Sequence, residues 1–310
     1  MAHGTHTRTM AKPTARDLGG AIQEINNYLS SGRHLEALDL IEQVAAQAPE
    51  VSVRLLAQAY DLLQKLPDKD TRFVLYQSRF YDFPVRMGEK VLDIGSGNLP
   101  FPMATHLADF ATEDHNYGRA GLPFKHVQGK PVFNCNVEEM PFEDKSFDFV
   151  YCSHVLEHTV DPIKACRELM RVAKRGYLET PTRAKDLFLN TAKVSNHHWM
   201  VEYFNDRLVF TQYTADQLEG LQSDILMDMH CNPESDREKA FSALVLLKAD
   251  KVNTMLMWEG GFDVEVRRLG REPELFNWAD AKPCSLAATP TNNPATSKGA
   301  PLSGAVQLFC

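Results

Sequence analysis

The sequence has few cysteines, no dense basic segment and no long apolar run. Its six cysteines are scattered over 310 residues without a CxxC pair, a pattern that favours a reducing compartment over a disulfide framework. The formal net charge of -8 argues against a general surface for nucleic acid or anionic membrane, because both depend on clustered Lys and Arg. The longest apolar run, ALVLL at 243–247, is far too short to span a bilayer. We therefore expect a cytoplasmic protein with no nucleic-acid or membrane partner.

The composition and the spacing of apolar residues divide the chain into four parts. Residues 1–17 and 276–310 are predicted to be disordered, since the tail is rich in Ala, Pro, Thr, Ser and Asn. Between residues 18 and 86, apolar positions at helical spacing predict three short helices. The segment GRHLEALDLIEQVAAQAP resembles one tetratricopeptide unit, but without further copies it favours a helical cap docked on the main domain. We also expect a protein partner or a dimer contact through these helices.

From residue 87 to residue 275 the pattern changes to strands that alternate with helices, which is typical of a parallel α/β sheet. The predicted strands are KVLDIGS, THLADF, FNCNV, SFDFVYCS and GYLETP. LVFTQY and FDVEVRRL are predicted to form an antiparallel pair that completes the sheet, and helices are predicted at 215–229 and 251–258. The predicted fold class is α/β, with a doubly wound, mostly parallel seven-stranded sheet and an N-terminal helical segment.

The stretch KVLDIGSGNLPFP carries a glycine turn after the first strand. A dinucleotide fingerprint needs a third glycine for close helix packing, and Pro100 stands in its place. Asp93, two residues before Gly95, lies near the carboxyl end of the strand, where a carboxylate attracts a cation and repels a phosphate. The turn therefore favours a cationic ligand without phosphates, such as S-adenosylmethionine, over a nicotinamide dinucleotide.

Residues 87–182 resemble the class I S-adenosylmethionine-dependent methyltransferases of the type 11-like group, through VLDIGSG, an xVEEMPF loop and SFDFVYCSHVLEH in register. The resemblance implies a Rossmann-like fold, S-adenosylmethionine as cofactor, and methylation of a small-molecule or glycan-related acceptor at oxygen. It places the cofactor against the glycine turn, the ends of the second and fourth strands and the loop after the third. These positions are Asp93, Gly95, Ser96, Gly97, Asp109, Asn136, Val137, Glu138 and Ser153. Glu113 or Asp114 is the alternative to Asp109 as the ribose ligand if the second strand runs longer.

Two departures from the family pattern stand out. Asn136 replaces the Asp that is common after the third strand, although its carbonyl can still accept a hydrogen bond from the adenine amino group. The link from Gly97 to the second strand is short and contains Pro100 and Pro102, which leaves little room for a full first helix. A catalytically silent protein that binds S-adenosylmethionine therefore stays open as an alternative, and an NAD-dependent oxidoreductase as a weaker one.

Three histidines are candidates for the general base that an alcohol acceptor needs, because histidine takes up a proton near neutral pH. His154 follows the fourth strand, and His197 and His198 lie in the insertion after the fifth. For each of them a loop or core histidine is the plain alternative. HVLEH at 154–158 also matches a zinc peptidase pattern, but the sequence shows no further ligand cluster, and Glu157 and His158 are expected to anchor the loop. Methyl transfer needs no Lewis acid, so we expect no metal.

Overall fold

The computed structural model describes residues 18–65, 79–113, 122–189, 196–219 and 225–280. The disorder predicted for residues 1–17 and for most of the C-terminal tail falls outside the described residues, as does the alternative ribose ligand Asp114. In the part of the chain that the structure describes, no helix is long and apolar enough to cross a membrane.

Three N-terminal helices form as predicted and pack on a later helix. The helices of the described chain are α1 (Leu18–Ser30), α2 (His34–Gln47), α3 (Pro49–Leu63), α4 (Pro162–Val172), α5 (Arg183–Phe188), α6 (Ala215–Glu219), α7 (Ile225–Cys231), α8 (Asp236–Leu247) and α9 (Ala249–Val252). The buried faces of α1, α2 and α3 share one apolar cluster with Ala240, Ala243 and Leu247 of α8. A capping box between Ser235 and Glu238 fixes where α8 begins. The N-terminal helices thus dock on a helix that lies within the α/β region of the sequence.

A six-stranded sheet forms the centre of the α/β region. The strands of the described chain are β1 (Val91–Ile94), β2 (His106–Asp109), β3 (Val132–Asn134), β4 (Phe147–Ser153), β5 (Ala173–Pro181), β6 (Trp199–Phe204), β7 (Arg207–Gln212), β8 (Asn253–Glu259), β9 (Asp263–Arg267) and β10 (Glu274–Phe276). The sheet has the order β3-β2-β1-β4-β5-β8, parallel except for β8. The mostly parallel α/β class is confirmed, with six strands in this sheet rather than seven. The strand order reverses between β1 and β4, where open α/β sheets bind ligands at their carboxyl ends.

The prediction that LVFTQY and FDVEVRRL form an antiparallel pair completing the first sheet was wrong. They form β7 and β9, which pair in parallel within a separate four-stranded sheet of order β10-β9-β7-β6. A tight hairpin explains the difference, because Asn205 and Asp206 both adopt positive φ, 51° and 59°, as a two-residue hairpin turn requires. The hairpin supplies β6 as the antiparallel partner of β7, so β7 does not extend the first sheet.

The helix predicted at 251–258 was also wrong beyond its first residues, since α9 ends at Val252 and β8 follows directly. A short apolar run fits helical and strand periods alike. Pairing decides here, because β8 runs antiparallel to β5 in unbroken register from Asn253 opposite Pro181 to Glu259 opposite Arg175. The helix predicted at 215–229 corresponds to α6 and α7, with residues 220–224 outside the described chain.

The first sheet is covered by apolar side chains on both faces. One face packs on α4 and on the second sheet, in a cluster that includes Leu92, Leu169 and Val264. The other face carries stacked aromatic rings, with the centroids of Phe101 and Tyr151 4.3 Å apart. No helix occurs between β1 and β2, where all residues are described, as the two prolines of that link predicted. The domain boundaries at 86/87 and 275/276 stay predictions.

Candidate active site

The glycine turn after β1 has the backbone shape that the sequence suggested. Gly95 and Gly97 adopt φ of +76° and +51°, a region that favours glycine. The Gly95 amide donates to the carbonyl of Ala108 on β2, over 2.8 Å. A side chain at Gly95 would place its Cβ 2.2 Å from Cγ2 of Val155, so no larger residue fits. Gly95 is therefore needed for close packing against the segment that follows β4.

The two predicted cofactor acids hold the turn through its backbone. Asp93 is buried, and its Oδ2 accepts from the Phe101 amide over 2.7 Å. Asp109 ends β2, and its Oδ2 accepts from the Gly97 amide over 3.0 Å. Glu113 is exposed and lies beyond the end of β2, which favours Asp109 as the ribose ligand. Both acids thus fix the loop that would surround a cofactor.

Two buried hydroxyl groups lie at the carboxyl ends of the central strands. Ser96 follows β1 and Ser153 ends β4, and both side chains are buried, with exposures of 4% and 5%. Neither Oγ has a hydrogen-bond partner in the structure. Leaving a buried hydroxyl unpaired costs about 1–3 kcal/mol of stability. Such groups are therefore typical of a place where a bound ligand supplies the hydrogen-bond partner. This edge of the sheet therefore suits a ligand with polar groups.

The loop after β3 divides its predicted roles among three residues. Asn136 is exposed, and its Oδ1 accepts from the Glu138 amide over 2.9 Å. Val137 is buried in the core. Oε1 of Glu138 accepts from the amides of Val160 and Asp161 at the start of α4, over 2.7 and 3.3 Å. Glu138 thus anchors α4. Of the three residues, the exposed Asn136 is the one whose side chain could contact the adenine of a cofactor.

His154 lies directly after β4 and is held between two buried carboxylates. Its φ is +56°, an uncommon value for a residue other than glycine. Nδ1 lies 3.2 Å from Oε1 of Glu157, and Nε2 lies 3.2 Å from Oε1 of Glu179. Tyr177 donates to the other oxygen of Glu179 over 2.5 Å. Both ring nitrogens of His154 therefore face carboxylate oxygens, which accept hydrogen bonds.

Glu157 and His158 lie in a short 3-10 helix, Leu156–His158, that follows His154. Burial would raise the pKa of Glu157, but the hydrogen bond with His154 and the nearby histidine charges outweigh it and lower that pKa to about 2. Burial lowers the pKa of His158 to about 4. Oε2 of Glu157 has no hydrogen-bond partner. The loop thus places an ionised carboxylate beside a neutral imidazole.

His197 is buried, whereas its neighbour His198 is exposed. Nδ1 of His197 lies 2.9 Å from Oδ2 of Asp186, and Tyr213 donates to the same oxygen over 2.8 Å. Burial lowers the pKa of His197, but the hydrogen bond and charge of Asp186 outweigh it and raise that pKa. The His198 amide donates to the carbonyl of Glu157 over 2.8 Å, which brings the insertion next to the 3-10 helix.

The structure brings His154 and His197 into one cluster and leaves His198 at its rim. The sequence did not single out Asp186, Tyr213 or Tyr177, which hold the ionisable groups of this cluster in place. One local signal was present for Asp186. Thr182 directly follows β5, and its hydroxyl caps α5 by accepting from the Lys185 amide, which predicts a short helix at the ligand edge of the sheet.

Comparison with known families bears on the central strands and the site. Residues 92–178 match the family described as "Methyltransferase domain". This segment is similar to a methyltransferase domain. The match runs from β1 to β5 and so includes the glycine turn, Asp109, the loop after β3 and the segment from Ser153 to His158. The second sheet and the N-terminal helices lie outside the matched methyltransferase domain.

Curated relatives are similar over parts of their length. A ubiquinone/menaquinone biosynthesis C-methyltransferase of Cellvibrio japonicus is 29% identical over 147 residues, which cover 44% of this chain and 59% of the relative. A ubiquinone biosynthesis O-methyltransferase of Acinetobacter baylyi is 29% identical over 113 residues, which cover 33% of this chain and 48% of that protein. The chain therefore spans about half the length of these curated relatives.

Solved structures are similar to parts of this chain at low identity. A SAM-dependent methyltransferase of Aquifex aeolicus is 22% identical, covers 40% of this chain and 73% of its own, and has a TM-score of 0.28. One chain of the complex between the Trm112 methyltransferase activator and a methyltransferase of Haloferax volcanii is 14% identical. It covers 66% of this chain and 94% of its own, with a TM-score of 0.38.

Proposed function

We propose that this protein is an S-adenosylmethionine-dependent methyltransferase that methylates a small-molecule or glycan-related acceptor at an oxygen atom. The observation that carries the proposal is the pair of unpartnered buried hydroxyls, Ser96 and Ser153, at the carboxyl ends of β1 and β4. They lie beside the glycine turn and at the reversal of strand order, where this class of sheet binds its ligand. The matching methyltransferase family supports the reaction type.

The residues of the turn fit S-adenosylmethionine by charge and by shape. The cofactor supplies a methyl group on a positively charged sulfur, so its chemistry needs no metal. Asp93 and Asp109 place carboxylates on either side of the turn and favour a cation over a phosphate. Gly97 presents backbone rather than a side chain, and the hydroxyls of Ser96 and Ser153 supply donors and acceptors. Asn136 is the proposed contact to the adenine.

On the acceptor side, we assign contact with the reacting oxygen to His154. Its side chain is 18% exposed, whereas Glu157 and Glu179, which hold its ring, are 0% and 1% exposed. Because both ring nitrogens already face carboxylates, we assign His154 the role of positioning the acceptor, and a ring nitrogen reaches the acceptor oxygen only by leaving one carboxylate. His197 and His198 stay predictions as general bases.

Binding experiments on the full chain test the cofactor. Isothermal titration with S-adenosylmethionine is expected to show binding that Gly97→Val and Asp109→Ala abolish. Glu113→Ala is the matched control, because this exposed acid lies just beyond β2. Binding of NAD without binding of S-adenosylmethionine would establish the oxidoreductase alternative instead.

A labelled-methyl assay against small-molecule extracts, followed by mass identification of the product, tests the reaction and the acceptor. We expect the label on an oxygen. Label on carbon would instead indicate a C-methyltransferase, which is what the Cellvibrio relative is named. Cofactor binding without any labelled product would support the catalytically silent alternative. With the acceptor in hand, His154→Gln is expected to lower turnover while the cofactor affinity stays unchanged. The cytoplasmic location and a partner for the N-terminal helices stay predictions.

A further inference from the structure

Three side chains from two distant segments bring metal-binding atoms together next to the proposed active site. Glu157 and His158 come from the 3-10 helix after β4, and His197 comes from the insertion before β6. Each offers one ligand atom, and these atoms all lie within 4.8 Å of one another. We propose that Glu157, His158 and His197 form a binding site for a divalent transition-metal ion, with Zn²⁺ as the ion that best suits the donor set.

His197 is oriented as a metal-binding histidine is, and the ring of His158 lies beside it. Nδ1 of His197 is hydrogen-bonded to the carboxylate of Asp186, whose Oδ2 also accepts from Tyr213. The ring of His158 lies edge-on to the ring of His197, with the ring centroids 4.7 Å apart. A histidine that binds a metal commonly donates its second ring N–H to a carboxylate or a carbonyl, which fixes the tautomer and leaves the first nitrogen as a lone-pair donor. His197 thus keeps its Nε2 for an ion, and the adjacent ring of His158 supplies the second nitrogen.

The third ligand is a carboxylate oxygen without a partner. Glu157 is 0% exposed, and its Oε1 is engaged with His154, whereas its Oε2 has no hydrogen-bond partner. A buried anionic oxygen of this kind is costly unless a cation or a donor compensates it. A metal ion bound by Oε2 would supply that compensation without disturbing the contact with His154.

The donor set decides which ion fits. Two imidazoles and one carboxylate, with a fourth position left open, form a set that catalytic zinc sites use. Mg²⁺ and Ca²⁺ prefer oxygen ligands throughout, so they are poor candidates. The sequence predicted no metal because methyl transfer needs no Lewis acid, and HVLEH came with no further ligand cluster. Tertiary contact now joins His158 to His197. Under this assignment His197 holds the ion and is not the base.

Metal titration of the full chain, purified without a histidine tag and stripped with a chelator, tests the proposal. Isothermal titration is expected to show one equivalent of Zn²⁺ bound and no binding of Mg²⁺. Glu157→Gln and His197→Gln should remove the binding, and Asp186→Asn, which alters the support of His197 but none of the three ligands, should weaken it by about 10–100-fold. His198→Gln is the matched control, because this adjacent ring is exposed and lies outside the cluster.

Two further measurements keep the result interpretable. Circular dichroism of each metal-free variant reports whether it folds. Where a variant does not fold, the absorption spectrum of the Co²⁺-loaded wild type tests the ligand set instead. That spectrum should show tetrahedral or five-coordinate nitrogen and oxygen ligation without a thiolate charge-transfer band. A thiolate band, no binding of Zn²⁺ by the wild type, or unchanged affinity in both ligand variants would each overturn the proposal. None of these readouts depends on methyl transfer, so the two proposals fail separately.

Discussion

The glycine turn and the histidine-carboxylate cluster lie at the same edge of the sheet but are built in different ways. The turn is assembled from residues close in sequence, with Asp93, Gly95 and Gly97 within one short segment and Asp109 at the end of the next strand. The cluster joins residues from the ends of β4 and β5, from α5 and from the segments that flank the β6-β7 hairpin. The turn presents backbone and unpartnered hydroxyls, whereas the cluster presents ionisable side chains that already hold one another.

This difference separates two requirements of the proposed transferase site. A cofactor common to many enzymes can be held by a local turn, because its binding needs the same backbone shape each time. The groups around an acceptor come from several elements, so changes in the insertions alter them without disturbing the turn. Val155, in the segment after β4, packs closely on Gly95 and brings the two regions into contact.

The largest expected effect comes from breaking the cluster while leaving the turn intact. Asp186→Ala removes the partner of His197 and of Tyr213, all of them buried, and should lower the free energy of unfolding by about 3–5 kcal/mol. Urea denaturation measures the loss. Asp186→Asn keeps an oxygen acceptor and should lose less. Affinity for S-adenosylmethionine should not change in whichever variant stays folded, and a large drop would show that the two regions are one unit.

Breaking the contact between the regions should cost somewhat less. Gly95→Ala forces a side chain onto φ of +76° and against Val155, which together should destabilise by about 2–5 kcal/mol. Gly88→Ala is the control, because Gly88 has φ of +88° with nothing within 4 Å of an added Cβ, so only the backbone cost remains. The double variant Gly95→Ala with Val155→Ala should recover the packing part. Equal losses in the Gly88 and Gly95 variants would refute the packing argument.

A buried histidine outside both regions gives a reference for their pH dependence. Burial lowers the pKa of His230 from 6.5 to about 4, and Ser242 lies 3.0 Å from its Nδ1. As the pH falls, the unfolded state takes up this proton before the folded state does. The stabilisation that neutral His230 gives the folded state is therefore complete above pH 6.5 and is lost towards about pH 4, and it amounts to at most about 3 kcal/mol. The free energy of unfolding, measured by urea denaturation between these pH values, should fall less with falling pH in His230→Gln than in the wild type. The exposed His126→Gln variant should show no such difference.

The smallest expected effect sharpens the description of the turn. Ser153→Ala removes a buried hydroxyl without a partner, so the free protein should be as stable as before or slightly more stable. Affinity for S-adenosylmethionine should fall by about 0.5–1.5 kcal/mol, the net value of one hydrogen bond. Ser146→Ala is the control, because its Oγ is also unpartnered but Ser146 precedes β4 at the far end of that strand. Loss of affinity in both variants would remove the argument from unpartnered hydroxyls.

The fold and the turn were largely predictable because their signals are local. The motif VLDIGSG predicted β1 and its glycine turn, and the prolines at 100 and 102 predicted that no helix follows. Strands β1 to β5 formed where alternation of strands and helices placed them. The mistakes fell at β8 and at the second sheet, where a short apolar run or a strand had more than one available partner.

By itself, the sequence determined the parallel core, the shape of the turn and the helical nature of the N-terminus. Each depends on residue type and spacing within a single element or a single turn, through positive φ at glycine, missing amides at proline and the period of apolar positions. Only the tertiary structure decided that Glu157, His158 and His197 meet, that Asp186 holds His197, and that His154 lies between two carboxylates. Such meetings depend on how the ends of separate strands and a hairpin pack, and no spacing along the chain encodes the distance between two side chains from different elements.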